Sequence, residues 1–127
     1  MKEKSKLILK IDTTNREEIV LGLYNAQIKT KVFKTARQSE DILIVLNKFI
    51  LESGYKIDSL TAVLVNISPG SYTGVRVGVT VANTLAWSLN IPVFGYLDLN
   101  FEKTLQKAKN SSLNFSKLAL PTYLDIA

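Results

Sequence analysis

The sequence predicts one α/β domain built on a mixed five-stranded sheet with helices packed against it. Near the amino terminus, two strand-like runs are joined by a link of only two residues, Asn25 and Ala26, which is typical of an antiparallel hairpin. Helical and strand-like patterns then alternate, as in βα units with parallel strands. A chain of 127 residues, 46% of them hydrophobic, is long enough for one domain with its own core.

The first three predicted elements are strands. Residues 7–12 form an apolar run that ends at Asp12 and is typical of a buried strand. A turn at 13–16 separates this run from the two hairpin strands, which we place at 18–24 and 27–33.

Helical spacing begins after Ser39, which we predict to cap a helix at 39–53 with acidic residues in its first turn. Apolar residues follow from Ile42 to Ile50 at i, i+3, i+4 spacing, and Gly54 ends the helix. The remaining predicted elements are a strand at 61–66, a helix at 73–89, a strand at 92–95 and a helix at 98–109. The predicted order is therefore β-β-β-α-β-α-β-α.

The residue types that the chain lacks exclude several kinds of chemistry. It has no cysteine for disulfides or thiolate metal sites, and no histidine to serve as a general base or metal ligand. Its net charge of +5 comes largely from scattered lysines, for which we favour a role in solubility over a weak attraction for polyanions such as tRNA. The apolar run that ends at Asp12 is too short for a signal peptide or a transmembrane helix, so we expect a cytoplasmic protein without membrane contact.

The most specific pattern lies at residues 66–78, between a predicted strand and a predicted helix. Pro69 and Gly70 mark a turn, and either Ser71 or Thr73 can cap the helix. The segment has neither the Lys-Ser/Thr ending of a P-loop nor the G-x-G-x-x-G order of a dinucleotide-binding loop, although any helix N-terminus attracts anions. Its serine is not set in the G-x-S-x-G order of a nucleophile elbow, and without histidine a hydrolase triad is excluded.

Asp12 is the candidate for phosphate or metal chemistry, because it ends a strand and is followed by Thr13 and Thr14. A carboxylate beside hydroxyl groups can hold a metal–phosphate complex, and it can equally cap a turn. We favour the turn, and the residues themselves leave both interpretations open.

The helix at 73–89 is predicted to lie at a protein interface. It is apolar on nearly every side, and Gly74 and Gly78 share one of its faces. Each glycine costs a helix roughly 1 kcal/mol relative to alanine, so such a face indicates the close approach of another backbone. Packing of the helix on its own sheet is the alternative. Because one sheet covers only one side of a helix, we favour a partner chain on the other side.

Three segments resemble the TsaB (YeaZ) family, the dimerisation subunit in bacterial synthesis of the threonylcarbamoyl group on adenosine 37 of tRNA. Residues 8–14 resemble its apolar strand ending in Asp-Thr-Ser, and residues 38–43 resemble its His-Ser-Glu helix start, with Gln38 in place of His. Residues 68–78 resemble its Gly-Pro-Gly-Ser-Phe-Thr-Gly-x-Arg-x-Gly signature, with Ser68 in place of the first Gly. The resemblance covers about residues 7–99.

The resemblance implies one domain of the actin/Hsp70-like ATPase (ASKHA, ribonuclease H-like) fold over residues 1–127, with a core at 7–109 and a C-terminal tail at 110–127. Members of the family carry a second domain of similar topology, so we expect this chain to be a short form with no complete nucleotide cleft of its own. Residues 120–124 resemble the Pro-x-Tyr-Leu segment near the end of full-length members.

The resemblance also implies a non-catalytic scaffold. It would bind a TsaD-type catalytic subunit, join a TsaE-type ATPase in the larger complex and meet tRNA indirectly, and it would self-associate through the same helices. We expect no cofactor on the isolated chain, with ATP and Mg²⁺ on the partner complex, and assign no catalytic or metal-ligating residue. The predicted interface residues are Ser39, Ile42, Leu46, Gly74, Val77, Gly78, Val81 and Leu85. The predicted loop residues for phosphate or tRNA contact are Asp12, Thr13, Pro69, Gly70, Ser71, Tyr72, Thr73 and Arg76.

Two other functions stay open at this point. One is a small phosphotransferase or ATPase of the same superfamily that uses Asp12 and Thr13 on phosphate. The other is a dimerisation module with no role in tRNA modification.

Overall fold

A computed structural model describes residues 5–110 of the chain. Its elements follow the predicted order β-β-β-α-β-α-β-α. The strands are β1 (Ile8–Asp12), β2 (Glu18–Tyr24), β3 (Ile28–Lys34), β4 (Ala62–Asn66) and β5 (Val93–Tyr96). The helices are α1 (Gln38–Glu52), α2 (Tyr72–Leu89) and α3 (Phe101–Asn110), and two short 3₁₀ turns lie at Ile57–Ser59 and Asp98–Asn100. The predicted resemblance at 120–124 falls outside the described residues.

The five strands form one mixed sheet in the order β3-β2-β1-β4-β5. The pairs β1–β2 and β2–β3 are antiparallel, whereas β1–β4 and β4–β5 are parallel. The short hairpin link and the longer helical crossovers dictate this division, because only antiparallel neighbours can be joined by a tight turn. The α/β class and the mixed sheet are thus confirmed.

Helices cover both faces of the sheet. Alternate residues of each strand point to opposite faces, so Leu9 and Ile11 join the core under α1 and α2, whereas Ile8 joins a second core under α3. In the parallel β4 every residue is buried, as expected for a strand with helices on both sides.

The start of α1 differs from the prediction. The helix begins at Gln38 after Arg37, with no side-chain cap, so the prediction that Ser39 caps it is wrong. Thr35 takes the local role instead: its hydroxyl accepts from Arg37 N–H at 2.9 Å and donates to Asp41 Oδ2 at 2.6 Å. At α2, Ser71 is the cap, since its Oγ accepts from Gly74 N–H at 3.1 Å.

Candidate functional site

The polar residues singled out by the sequence meet at the carboxyl edge of β1 and β4. Asp12 ends β1, and Thr14 donates to its Oδ1 from both N–H and Oγ, at 2.9 and 2.7 Å. Asn66, which ends β4, donates to Asp12 Oδ2 at 3.0 Å. Both carboxylate oxygens of Asp12 are therefore engaged in holding the strand end and its turn, which agrees with the turn interpretation.

Asn66 connects this strand end to the loop after β5. Its amide nitrogen also donates to Asp98 Oδ1 at 2.8 Å, and its amide oxygen accepts from Ser68 N–H at 2.9 Å. The Ser68 hydroxyl in turn accepts from Asp98 N–H at 2.8 Å. No local sequence pattern indicates this network, because Asn66 and Asp98 meet only through the pairing of β4 with β5.

Tyr96 lies buried beside these carboxylates, and within the described residues its hydroxyl has no group placed to form a hydrogen bond with it. Burial raises the pKa of Tyr96 far above its ordinary value, the charges of Asp12 and Asp98 raise it further, and the nearby Asn66 side chain opposes them in part. The hydroxyl therefore stays protonated.

Thr13 is buried on the opposite face of the strand, against α2. Its hydroxyl donates to the Gly74 carbonyl at 2.5 Å and accepts from Gly78 N–H at 3.1 Å. A β-carbon on Gly74 would collide with the Thr13 carbonyl oxygen, and one on Gly78 would collide with the Thr13 hydroxyl. The close backbone approach inferred from the glycine spacing is therefore real, and its partner is β1 of the same chain.

The loop before α2 is tied to the same strand end. Ser71 N–H donates to the Thr14 carbonyl at 2.9 Å, and a β-carbon on Gly70 would lie 2.8 Å from that oxygen. Pro69, Tyr72 and Thr73 remain exposed on the outer side of the loop.

Gln38 fastens α1 to the turn between β1 and β2. Its buried amide group lies within hydrogen-bond distance of three backbone carbonyls, those of Thr13 at 3.2 Å, Asn15 at 2.9 Å and Glu18 at 2.8 Å. Gln38 thus holds the start of α1 against this turn. The family that the sequence resembles usually has histidine at this position.

An apolar groove of about 470 Å³ runs between α1 and α2. Arg76 stands at its polar rim, where its guanidinium donates to the Tyr72 hydroxyl at 2.6 Å and stacks over the ring. Leu43 lies at the groove with 63% of its surface exposed. The lining residues are Ser39, Ile42, Leu43, Tyr72, Thr73, Arg76, Val77, Thr80 and Val81.

Half of the predicted interface residues are buried within the chain itself. Leu46, Gly74 and Gly78 pack against the sheet, and Ile42 belongs to the core under α1 while also lining the groove. The most regular apolar stripe of α1 faces its own sheet, so these four residues have little surface outside the core. Ser39 is exposed and Val77, Val81 and Leu85 are half-buried, so their interface role stays a prediction.

Both helices also carry exposed apolar residues that the sequence analysis did not single out. They are Leu43, Ile44 and Leu51 on α1 and Trp87 on α2. Sequence spacing identifies the widest stripe of a helix, whereas the three residues of α1 lie outside that stripe.

Among the predicted loop residues, Thr13 is fully buried. Its hydroxyl donates to the Gly74 carbonyl and accepts from the Gly78 N–H, so it faces α2 and not the outer side of the loop. Over residues 5–110 no cluster of three or more carboxylate, histidine or cysteine side chains could hold a metal ion. Within the same range no helix is long and apolar enough to cross a membrane.

Comparison with known proteins gives a consistent result. Residues 33–100 match the family model described as TsaD, tRNA N6-adenosine threonylcarbamoyltransferase. The tRNA threonylcarbamoyladenosine biosynthesis protein TsaB of Bacillus subtilis is 36% identical over 94 residues, which are 68% of this chain and 38% of that protein. TsaB of Buchnera aphidicola is 26% identical over 113 residues, 86% of this chain and 53% of that protein. The chain thus spans about half or less of the length of these relatives.

Solved structures show the same fold. YeaZ from Pseudomonas aeruginosa superposes with a TM-score of 0.69 at 24% identity, over 74% of this chain and 46% of that one. RuvC from Thermus thermophilus, bound to a Holliday junction substrate, superposes with a TM-score of 0.53 at 14% identity, over 94% of this chain and 85% of that one. At these identities the likeness concerns the fold alone. Together with the family-model match at residues 33–100, it supports the ASKHA/ribonuclease H-like fold class.

Proposed function

Because the chain belongs to the TsaB/YeaZ family, we propose that it is a non-catalytic scaffold subunit in the synthesis of N6-threonylcarbamoyladenosine at position 37 of tRNA. In this role it binds a TsaD-type catalytic subunit in the cytoplasm and supports it. The chemistry, with its ATP and Mg²⁺, takes place on the partner complex, which includes a TsaE-type ATPase and meets the tRNA.

The α1–α2 groove is the observation that carries this proposal. Exposed apolar side chains beside a polar rim are typical of a protein-binding surface, since burying them removes apolar area from water at roughly 25 cal/mol per Å². Leu43 stands at the groove, and Ile44 and Leu51 extend the apolar surface along α1. We place the partner subunit on this surface, with Val77 and Val81 at its centre.

The polar edge of the sheet supports a structural role over the phosphotransferase alternative. The two oxygens of Asp12 already accept three hydrogen bonds, and the Thr13 hydroxyl is enclosed between β1 and α2. Groups that hold the fold together in this way are poorly placed to bind and release a phosphate in each catalytic cycle.

The test compares two matched leucine variants. Leu43→Glu places a charge in the groove. Leu99→Glu places the same charge outside the groove, in the short turn before α3, at a residue that is 98% exposed. Binding of each full chain to the TsaD-type subunit of the same organism is measured by calorimetry, and modified adenosine is measured in the reconstituted reaction. We expect Leu43→Glu to weaken binding at least 10-fold, about 1.4 kcal/mol, and Leu99→Glu to match wild type.

Absence of binding by the wild-type chain would overturn the proposal. Equal losses in both variants would move the interface away from the groove. Modified adenosine formed at the normal rate without this chain would leave it as a dimerisation module with no role in the modification.

A further inference from the structure

The outer half of the sheet face that carries α3 is not covered by any described element. The register aligns Ile8 with Tyr24 and Tyr24 with Ile28, so these side chains point to the α3 side. Four residues further along the two strands, Val20 pairs with Val32, and their side chains lie on the same face. Ile28 is 69% exposed and Val32 is 49% exposed, although both stand beside buried strands.

Helix α3 is too short and too far to one side to cover these residues. It packs on β4 and β5, and it reaches β2 at Tyr24, whose ring centroid lies 5.5 Å from that of Phe101. The Tyr24 ring folds back over Gly22, which leaves a shallow apolar surface between α3 and β3.

A cavity of about 510 Å³ opens where this surface meets the end of α3. Ile8 and Tyr24 line it from the sheet, Ala26 lines it from the link between β2 and β3, and Lys109 lines it from the last described turn of α3. The described part of the chain therefore ends beside this cavity.

The sequence that follows α3 is more apolar than the chain as a whole. Residues 111–127 carry only two charged side chains, Lys117 and Asp125. The distance from β1 to β3 is two strand spacings, roughly 10 Å, and extended chain covers about 3.3 Å per residue, so the segment is long enough to cross the face. Its large apolar residues are Leu113, Phe115, Leu118, Leu120, Tyr123, Leu124 and Ile126.

We propose that residues 111–127 of the same chain cover the outer half of this sheet face, with their apolar side chains over Val20, Ile28 and Val32. A second copy paired edge to edge at β3 is a poorer occupant, because it would bring the rows of Lys29, Lys31 and Lys34 together and would extend the sheet without covering this face. The inference concerns the side of the sheet opposite to the α1–α2 groove and does not rest on the proposed function.

The chain contains no cysteine, so pairs of introduced cysteines report contact without competing thiols. In one full-chain variant Thr30→Cys, in the centre of the exposed face, is combined with Leu120→Cys. In the matched control Thr84→Cys, an exposed residue on α2, is combined with the same Leu120→Cys. Both combinations are repeated with the second cysteine at Leu118 or at Leu124 instead of Leu120. The result then does not depend on a single position in the segment.

Disulfide formation under mild oxidation is followed by gel mobility at micromolar protein concentration. For at least one of the three segment positions, we expect the intramolecular Thr30→Cys cross-link to form at least 10-fold faster than its Thr84→Cys control. Cross-linking that is no faster than the control at all three positions, or that occurs only between chains, would overturn the proposal.

Discussion

Thr13 places its hydroxyl between the Gly78 N–H and the Gly74 carbonyl, the two groups that an ideal helix would bond to each other. The contact joins the end of β1 to the first turns of α2 across 65 residues of sequence. It requires a residue without a side chain at Gly78, since a β-carbon there would collide with the Thr13 hydroxyl and lie 3.4 Å from Val65.

The first prediction follows from this contact. Gly78→Ala should lower the free energy of unfolding by roughly 1–3 kcal/mol, because overpacking separates α2 from β1. Urea unfolding measures it, with Thr84→Ala on the exposed side of the same helix as the control. A variant that keeps wild-type stability and loses only its partner would return Gly78 to the interface.

Gln38 gives the second prediction. Gln38→Leu keeps the approximate size of the side chain and removes the amide that serves three backbone carbonyls. We expect a loss of about 1–3 kcal/mol in the free energy of unfolding, because buried acceptors lose their donor. Glu40→Leu, an exposed position in the same helix turn, serves as the control and should change stability far less. Equal losses in the two variants would mean that Gln38 does not clamp the turn.

The order of the elements could be predicted from the sequence because it depends on local patterns. The two-residue link at Asn25 and Ala26 indicates a hairpin, and the spacing from Ile42 to Ile50 indicates a helix with one buried face. The start of α1 could not be placed at Gln38, since the cap interaction comes from Thr35 outside the helix.

The site was harder to predict, because its contacts are long-range. Gly74 and Gly78 show that some backbone comes close, and their spacing does not say that it is Thr13 of the same chain. Likewise, the meeting of Asn66 with Asp98 depends on the register between two parallel strands, which no local pattern records.

Tyr96 provides the third prediction. Burial, together with the charges of Asp12 and Asp98, raises the folded-state pKa of Tyr96 above the unfolded value near 10. The folded state therefore holds the proton more tightly, so this stabilisation is complete below pH 10 and is lost as the pH rises above that value. We expect the free energy of unfolding to fall less between pH 9 and about pH 11 in Tyr96→Phe than in wild type.

The control for this experiment is Thr84→Ala, a surface variant of α2 that removes no titrating group. Its loss of stability over the same pH interval should equal that of wild type. An identical pH response in all three proteins would show that Tyr96 ionises as readily when folded as when unfolded.

The fourth prediction concerns self-association. Without its partner, the isolated chain should form a dimer through the α1–α2 groove, because a stable interface needs about 1,000 Å² or more of buried surface and the apolar residues of α1 and α2 lie together. Sedimentation at micromolar concentration measures it. Leu43→Glu should give a monomer and Leu99→Glu should remain a dimer. A wild-type monomer would limit the groove to hetero-association.

The last prediction is that the chain alone binds Mg-ATP weakly, at millimolar affinity, or not at all. Asp12 is the carboxylate best placed at the strand end, and its oxygens already serve Thr14 and Asn66. Mg²⁺ prefers six oxygen ligands in octahedral geometry, and Asp12 and its neighbour Asp98, both already bonded to Asn66, offer little toward that number. Calorimetry with wild type and Asp12→Asn is the measurement. We expect the two titrations to be indistinguishable. Micromolar affinity that disappears in Asp12→Asn would instead assign the sheet edge to phosphate binding and favour the phosphotransferase alternative over the scaffold.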